Sequence, residues 1–206
     1  MEVYQLMTFL GAALLLILMP GPDNIFVLTE SLVRGKRNGI LIAVGLCLGI
    51  LTHTTAAATG LSLILSQSPV TFNLIKYAGA AYLFYLAIMA SRDQPVAIKK
   101  DEKTQVPISG AAFIKKGFFM NILNPKVSLF FIAFLPQFVI EGSISPMVQM
   151  MVLGLLFIVS SLLIFSLIAY TAGFLTPYLN NSRFWKITKT CKIATMGILG
   201  VFLLLT

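Results

Sequence analysis

The chain of 206 residues is 58% hydrophobic and only 11% charged, against roughly 25% charged residues in an average soluble domain. A water-soluble fold of this size has too small an interior to hide so much apolar surface, so the surplus is expected to face lipid. The net charge of +8 would point to nucleic acid only if it formed one solvated face; here the basic residues sit between hydrophobic runs, and no nucleic-acid partner follows.

The uncharged stretches 3–22, 38–75 and 142–182 fit one, nearly two and two membrane crossings at about 20 residues each. The sequence therefore predicts an all-α integral membrane protein with six transmembrane helices, at 4–29 (interrupted), 38–65, 72–91, 113–140 (interrupted), 146–175 and 187–206. The start, Met1-Glu2-Val3-Tyr4-Gln5, lacks the basic region of a signal peptide, and no small-x-small cleavage site precedes Pro20, so the first segment is expected to be a retained helix.

Segment one is broken by Pro20-Gly21-Pro22-Asp23-Asn24. Two prolines and a glycine interrupt the hydrogen-bond ladder, and inside a bilayer the freed backbone groups are tolerated only where they face protein or a watery cavity. Asp23 and Asn24 add polar groups at that depth, which marks a candidate binding site; the plainer reading is a packing kink in which Asp23 caps the resuming helix.

Segment two carries Gly45, Gly49 and His53 at helical spacing on one face. The glycines suit close helix packing, within one chain or between two copies of a homo-oligomer. His53, the sole histidine, is either a packing residue or a proton relay, since an ordinary imidazole titrates near neutral pH. Ser66-Gln67-Ser68-Pro69 divides segments two and three. Segment three holds Gly79 among small residues that favour helix contact, and Lys76 near its start, which is expected to snorkel to the outer surface.

The stretch 92–112, with seven charged residues and two prolines, reads as a cytoplasmic linker. The chain is thus one transporter domain, 1–206, with a first half 1–91 and a second half 113–206. Segment four repeats the break of segment one with Asn121-Ile122-Leu123-Asn124-Pro125-Lys126, and Pro125 follows Pro22 by half the chain length. Matching interruptions in two halves are the best sequence pointer to a transporter's substrate site, and three crossings per half make the halves a 3+3 inverted repeat.

On straight-helix geometry Asp23 lies about 10 Å and Lys126 about 14 Å from their basic-side helix ends. A buried charge at the bilayer centre costs about 3 kcal/mol on insertion scales, so an Asp23–Lys126 pair is the economical expectation; the alternative is that Lys126 snorkels toward the headgroups. Segment six is short, since about 14 residues after Lys192 span only about 21 Å.

Of the 15 Lys and Arg residues, all but Lys76 and Lys126 flank the joins one-to-two, three-to-four and five-to-six. Basic flanks are retained in the cytoplasm, which puts both termini outside. Cys47 and Cys191 form neither a disulfide framework nor a CxxC site, and one histidine with two distant cysteines makes a poor shell for a transition metal; no cofactor is implied. An enzyme would need a serine nucleophile with His53 as base, and no nucleophile motif marks one.

The motifs Pro20-Gly21-Pro22-Asp23, Gly45-xxx-Gly49-xxx-His53, Lys76-Tyr77-Ala78-Gly79-Ala80-Ala81-Tyr82-Leu83 and Asn121-xx-Asn124-Pro125-Lys126, followed by Phe134-Leu135-Pro136-Gln137-Phe138, resemble those of the LysE-type bacterial amino-acid exporters along essentially the whole chain. The resemblance implies a multi-pass protein of the bacterial inner or plasma membrane that exports small amino acids or their derivatives from the cytoplasm in exchange for protons. Asp23 is the only carboxylate well inside the membrane, which favours neutral substrates over dibasic ones. An inorganic-cation or soft-metal exporter is the alternative.

Overall fold

The computed structural model describes residues 2–61, 69–93, 109–140, 142, 144–179 and 181–205. All regular structure among them is helical. Helix α1 (Val3–Leu18) stops where Pro20 and Pro22 withdraw backbone donors, and α2 (Pro22–Arg34) restarts with Pro22 in its first turn. The two axes bend by 54°. Gly35, at φ 89°, makes the turn into α3 (Lys36–Ala56), which ends in a π-helical turn, Ala57–Leu61; a side chain at that φ would be strained.

Helix α4 (Pro69–Ala90) leads toward the linker, of which 94–108 lie outside the described residues, as does the divider Ser66–Ser68. Helix α5 (Gly110–Ile122) is capped by the Ser109 hydroxyl, which accepts from Ala112 N. It breaks before α6 (Pro125–Leu129), whose N-cap Asn124 accepts from Lys126 N. The chain continues through a π turn, Phe130–Phe134, and a 3-10 turn, Leu135–Phe138, and this pair bends by 53°. Helix α7 (Pro146–Leu179) and helix α8 (Ser182–Leu205) complete the fold.

Four of these helices are long and apolar enough to cross a membrane, and six spans result if each bent pair is one. Exposed Leu163, Leu167, Phe174 and Leu74 show the apolar outer surface that such spans turn to lipid. Segment six differs from expectation: α8 begins at Ser182, five residues ahead of the predicted start, because Arg183 and Lys186 are built into the helix ahead of Lys189 and Lys192 rather than into a loop.

Helix α3 is the hub, packed on α2, α5 and α7. It approaches α5 at two glycines: a Cβ on Gly45 would lie 2.1 Å from the Ile114 carbonyl oxygen, and one on Gly117 would lie 2.3 Å from that of Ile42. Only bare backbone permits such an approach, and it brings Gly49 of α3 against Asn121 at the second break. The Gly45–Gly49 face is thus turned inward, on the same chain.

Lys76 departs from expectation as well. It is buried, with its ammonium 5.8 Å from the centre of the Tyr77 ring, so the charge finds an aromatic face instead of the surface.

Candidate functional site

Each break frees a particular carbonyl. In a regular helix the oxygen of residue i accepts from the N–H of residue i+4. Leu16 would need the N–H of residue 20 and Asn121 that of residue 125, and both are prolines, which have none. Each orphaned oxygen is met from elsewhere in the fold.

Lys126 Nζ donates to Leu16 O at 3.2 Å. His53 Nε2 lies 3.4 Å from Asn121 O, which also accepts from Asn124 N at 2.9 Å. The Asn24 amide donates to Ile17 O at 2.9 Å, covering a second carbonyl at the end of α1. Buried polar groups need such partners because an unmet one costs about 1–3 kcal/mol.

The two breaks also meet one another. Asn121 Nδ2 donates to Asp23 Oδ2 at 3.2 Å, linking α5 to α2, while the Asn121 carbonyl carries the contact to His53 on α3. The His53 ring stacks on Phe131, with centroids 6.0 Å apart at 20°. Asp23, Asn24, Asn121, Asn124 and Lys126 are all buried and His53 is partly so. A single polar cluster thus forms from α2, α3, α5 and α6.

The direct Asp23–Lys126 ion pair expected from the sequence is not formed in this conformation. The ammonium is held by the Leu16 carbonyl, an acceptor that Pro20 creates and that no count of side-chain charges reveals. Both groups nevertheless line one small chamber, together with Asn121 and Ser161 of α7. Asp23 Oδ1, Asn121 Oδ1 and Ser161 Oγ have no hydrogen-bond partner. Ser161 was not among the residues that the sequence singled out. Its neighbour Ser160 bonds back to the Leu156 carbonyl, the ordinary habit of serine in a helix, and nothing in the sequence distinguishes the two.

A cavity of about 680 Å3 lies on the basic-loop side of this cluster, well within the size of small-molecule pockets. Its walls are Ile25, Phe26 and Thr29 of α2, Met120 of α5, and Trp185, Lys186, Lys189 and Lys192 of α8, and its floor is Pro20-Gly21-Pro22. Gly21 separates it from the chamber: a Cβ built there would be 3.4 Å from Lys126 Nζ. Lys192 pairs with Asp93 at the rim.

The opposite end is closed. Gln5 of α1 donates to the Phe138 carbonyl and to Gln149 Oε1 of α7. Gln149 in turn binds the carbonyls of Ile140 and Ile144 at 2.8 and 2.9 Å and accepts from Ile140 N. Between that network and the chamber lie packed rings, among them Phe9 edge-on to Phe138 at 5.3 Å and Phe130 against Phe157 at 5.1 Å. The open side is therefore the side of the basic loops. Among the described residues no group of three or more His, Cys, Asp or Glu is placed to hold a metal ion.

Comparison with known proteins agrees with this architecture. The chain is 29% identical over 187 residues to a leucine efflux protein of Klebsiella pneumoniae, covering 88% of this chain and 85% of that one. It is 28% identical over 193 residues to the uncharacterized membrane protein YrhP of Bacillus subtilis, covering 90% and 91%. A leucine efflux protein of Salmonella typhimurium is 28% identical over 176 residues, covering 85% and 82%. No solved structure matches. The model of the LysE type translocator family matches residues 14–206, and the chain, a multi-pass membrane transporter, belongs to that family.

Proposed function

We propose that the protein exports small neutral amino acids from the cytoplasm, with inward proton movement as the driving force. The observation that carries this reading is the 680 Å3 cavity on the basic side, which ends on the Pro20-Gly21-Pro22 break with Asp23 and Lys126 buried behind it. Basic loops are retained in the cytoplasm, so the cavity is an inward-facing vestibule and both termini lie outside.

The vestibule joins an apolar wall (Ile25, Phe26, Met120) to three lysines (Lys186, Lys189, Lys192). That combination suits a ligand with a carboxylate and an apolar side chain, and leucine, the substrate named for two of the relatives, is the first to test. The matched breaks of α1–α2 and α5–α6 support an inverted pair of halves rocking about the shared cluster. Asp23 and His53, held on either side of Asn121 by its side-chain amide and its main-chain carbonyl, are the titratable groups from which proton coupling would be built.

The test loads cells with dipeptides to raise their internal amino acids and follows efflux of all twenty. Cells expressing the protein are expected to release a neutral amino acid faster than control cells. Asp23→Asn and Lys126→Gln, expressed to equal levels, are expected to abolish the gain. Efflux unchanged for every amino acid would overturn the proposal.

A further inference from the structure

The small chamber behind the break is lined by more acceptors than the protein satisfies. Asp23 Oδ1, Asn121 Oδ1 and Ser161 Oγ come from three helices, α2, α5 and α7, and none is met at hydrogen-bonding geometry, although the Asn124 amide nitrogen, itself unmet, stands near Asp23. Their residues are 2%, 0% and 0% exposed, so bulk water does not compensate them. The orientation of Asn121 is fixed, because its amide nitrogen donates to Asp23 Oδ2 and a carboxylate oxygen only accepts; its own oxygen must therefore be the unmet atom. The chamber admits about 10 Å3 at the centre of a water-sized group, which is room for one such group.

Asp23 Oδ1 and Asn121 Oδ1 can only accept, whereas the Ser161 hydroxyl can donate or accept. A water would meet all three yet leave the buried Asp23 carboxylate without a counter-charge; a primary ammonium meets them and carries the charge that answers Asp23. Resting on the amino-acid export proposed above, we infer that Asp23 Oδ1, Asn121 Oδ1 and Ser161 Oγ form the subsite for the α-ammonium group of the transported amino acid. Ser161 thereby becomes a specificity residue. The α-carboxylate reaches Lys126 Nζ, which lines the same chamber and lies next to the bare backbone of Gly21. The side chain is left on the vestibule side, against Phe26 and Met120. Asp23 and Lys126, unpaired with each other, are then bridged by the two charged ends of one zwitterion. His53 remains outside this subsite, on the far side of the Asn121 carbonyl.

The inference is tested on the full-length protein in proteoliposomes by exchange of a labelled amino acid, chosen as the fastest of the twenty. Unlabelled competitors are the same amino acid, its N-acetyl derivative, its 2-oxo acid and its decarboxylated amine. The parent and the amine are expected to compete, whereas the N-acetyl derivative and the oxo acid, which have no primary ammonium, are not. Ser161→Ala is expected to raise KM by about tenfold or more, as for loss of a hydrogen bond to a charged group, with kcat nearly unchanged. The competition series uses the unaltered protein and so decides even if the variant fails to fold. Competition by the oxo acid equal to that of the parent, or an unchanged KM in Ser161→Ala, would overturn the subsite while leaving the transporter reading intact. Exchange of none of the twenty would overturn both.

Discussion

Substituting Gly45 by alanine tests how the hub helix positions the site. The added Cβ would lie 2.1 Å from the Ile114 carbonyl oxygen and 2.9 Å from both the Ile114 carbonyl carbon and the Phe118 nitrogen. All three are main-chain atoms, so no side chain can swing aside, and α3 and α5 must part by ~1 Å to restore ordinary contact. Overpacking of this kind costs about 3 kcal/mol at its upper end. Replacing a helical glycine returns about 1 kcal/mol, which leaves a net loss of about 2 kcal/mol. For a chain of this length that lowers Tm by about 4–8 °C.

The displacement would also stretch the 3.4 Å contact from His53 Nε2 to Asn121 O beyond hydrogen-bonding range, so transport should fall even where the protein remains folded. The assay is thermal unfolding of the purified protein in detergent, followed by gel filtration, with exchange measured in parallel. Gly11→Ala is the control: beyond its own helix backbone nothing among the described residues lies within 4 Å of its added Cβ, and its Tm should hold or rise. A Gly45→Ala variant that melts with the parent and transports normally would refute the close-packing argument.

Two further outcomes are expected. His53→Phe keeps a ring against Phe131 and leaves the Asn121 carbonyl bonded to Asn124 N, so stability should drop by only about 0.5 kcal/mol; if His53 carries the proton, amino-acid exchange persists while efflux driven by a pH gradient is lost, and equal loss of both would argue against that role. Gln149→Leu strips partners from Gln5 Nε2, Ile140 N and the carbonyls of Ile140 and Ile144, and should cost about 2 kcal/mol or more, read as a lowered Tm.

Much of the fold is legible in the sequence because a bilayer enforces simple rules. Long uncharged runs must be helices, and Pro20, Pro22 and Pro125 cannot continue one, so both bends were expected where they occur. The start of α8 was hidden because Arg183 and Lys186 look like loop residues when only charge is counted. In the structure Lys186, Lys189 and Lys192 line a cavity from within a helix. The polar residues that meet at the two breaks were legible one by one, and their wiring was not. Asp23 and Lys126 look like natural partners by sign and depth, yet the partner of Lys126 is a main-chain oxygen, which the one-letter code does not write. Ser161 was invisible for a related reason: what sets it apart from Ser160 is the space it faces.

The carbonyls of Leu16 and Asn121 hold their cross-helix donors with main-chain atoms, and no replacement of either side chain removes a main-chain oxygen. A saturation survey that varied one position at a time would therefore pass over both acceptors at their own addresses. Their importance would register four places downstream, at Pro20 and Pro125, where any other residue brings back an N–H that competes for the same oxygen. Tolerance at position 16 would say little about its acceptor, the response at position 121 would report on the side chain that binds Asp23 rather than on the carbonyl, and intolerance of the two prolines would report on an atom that neither proline possesses.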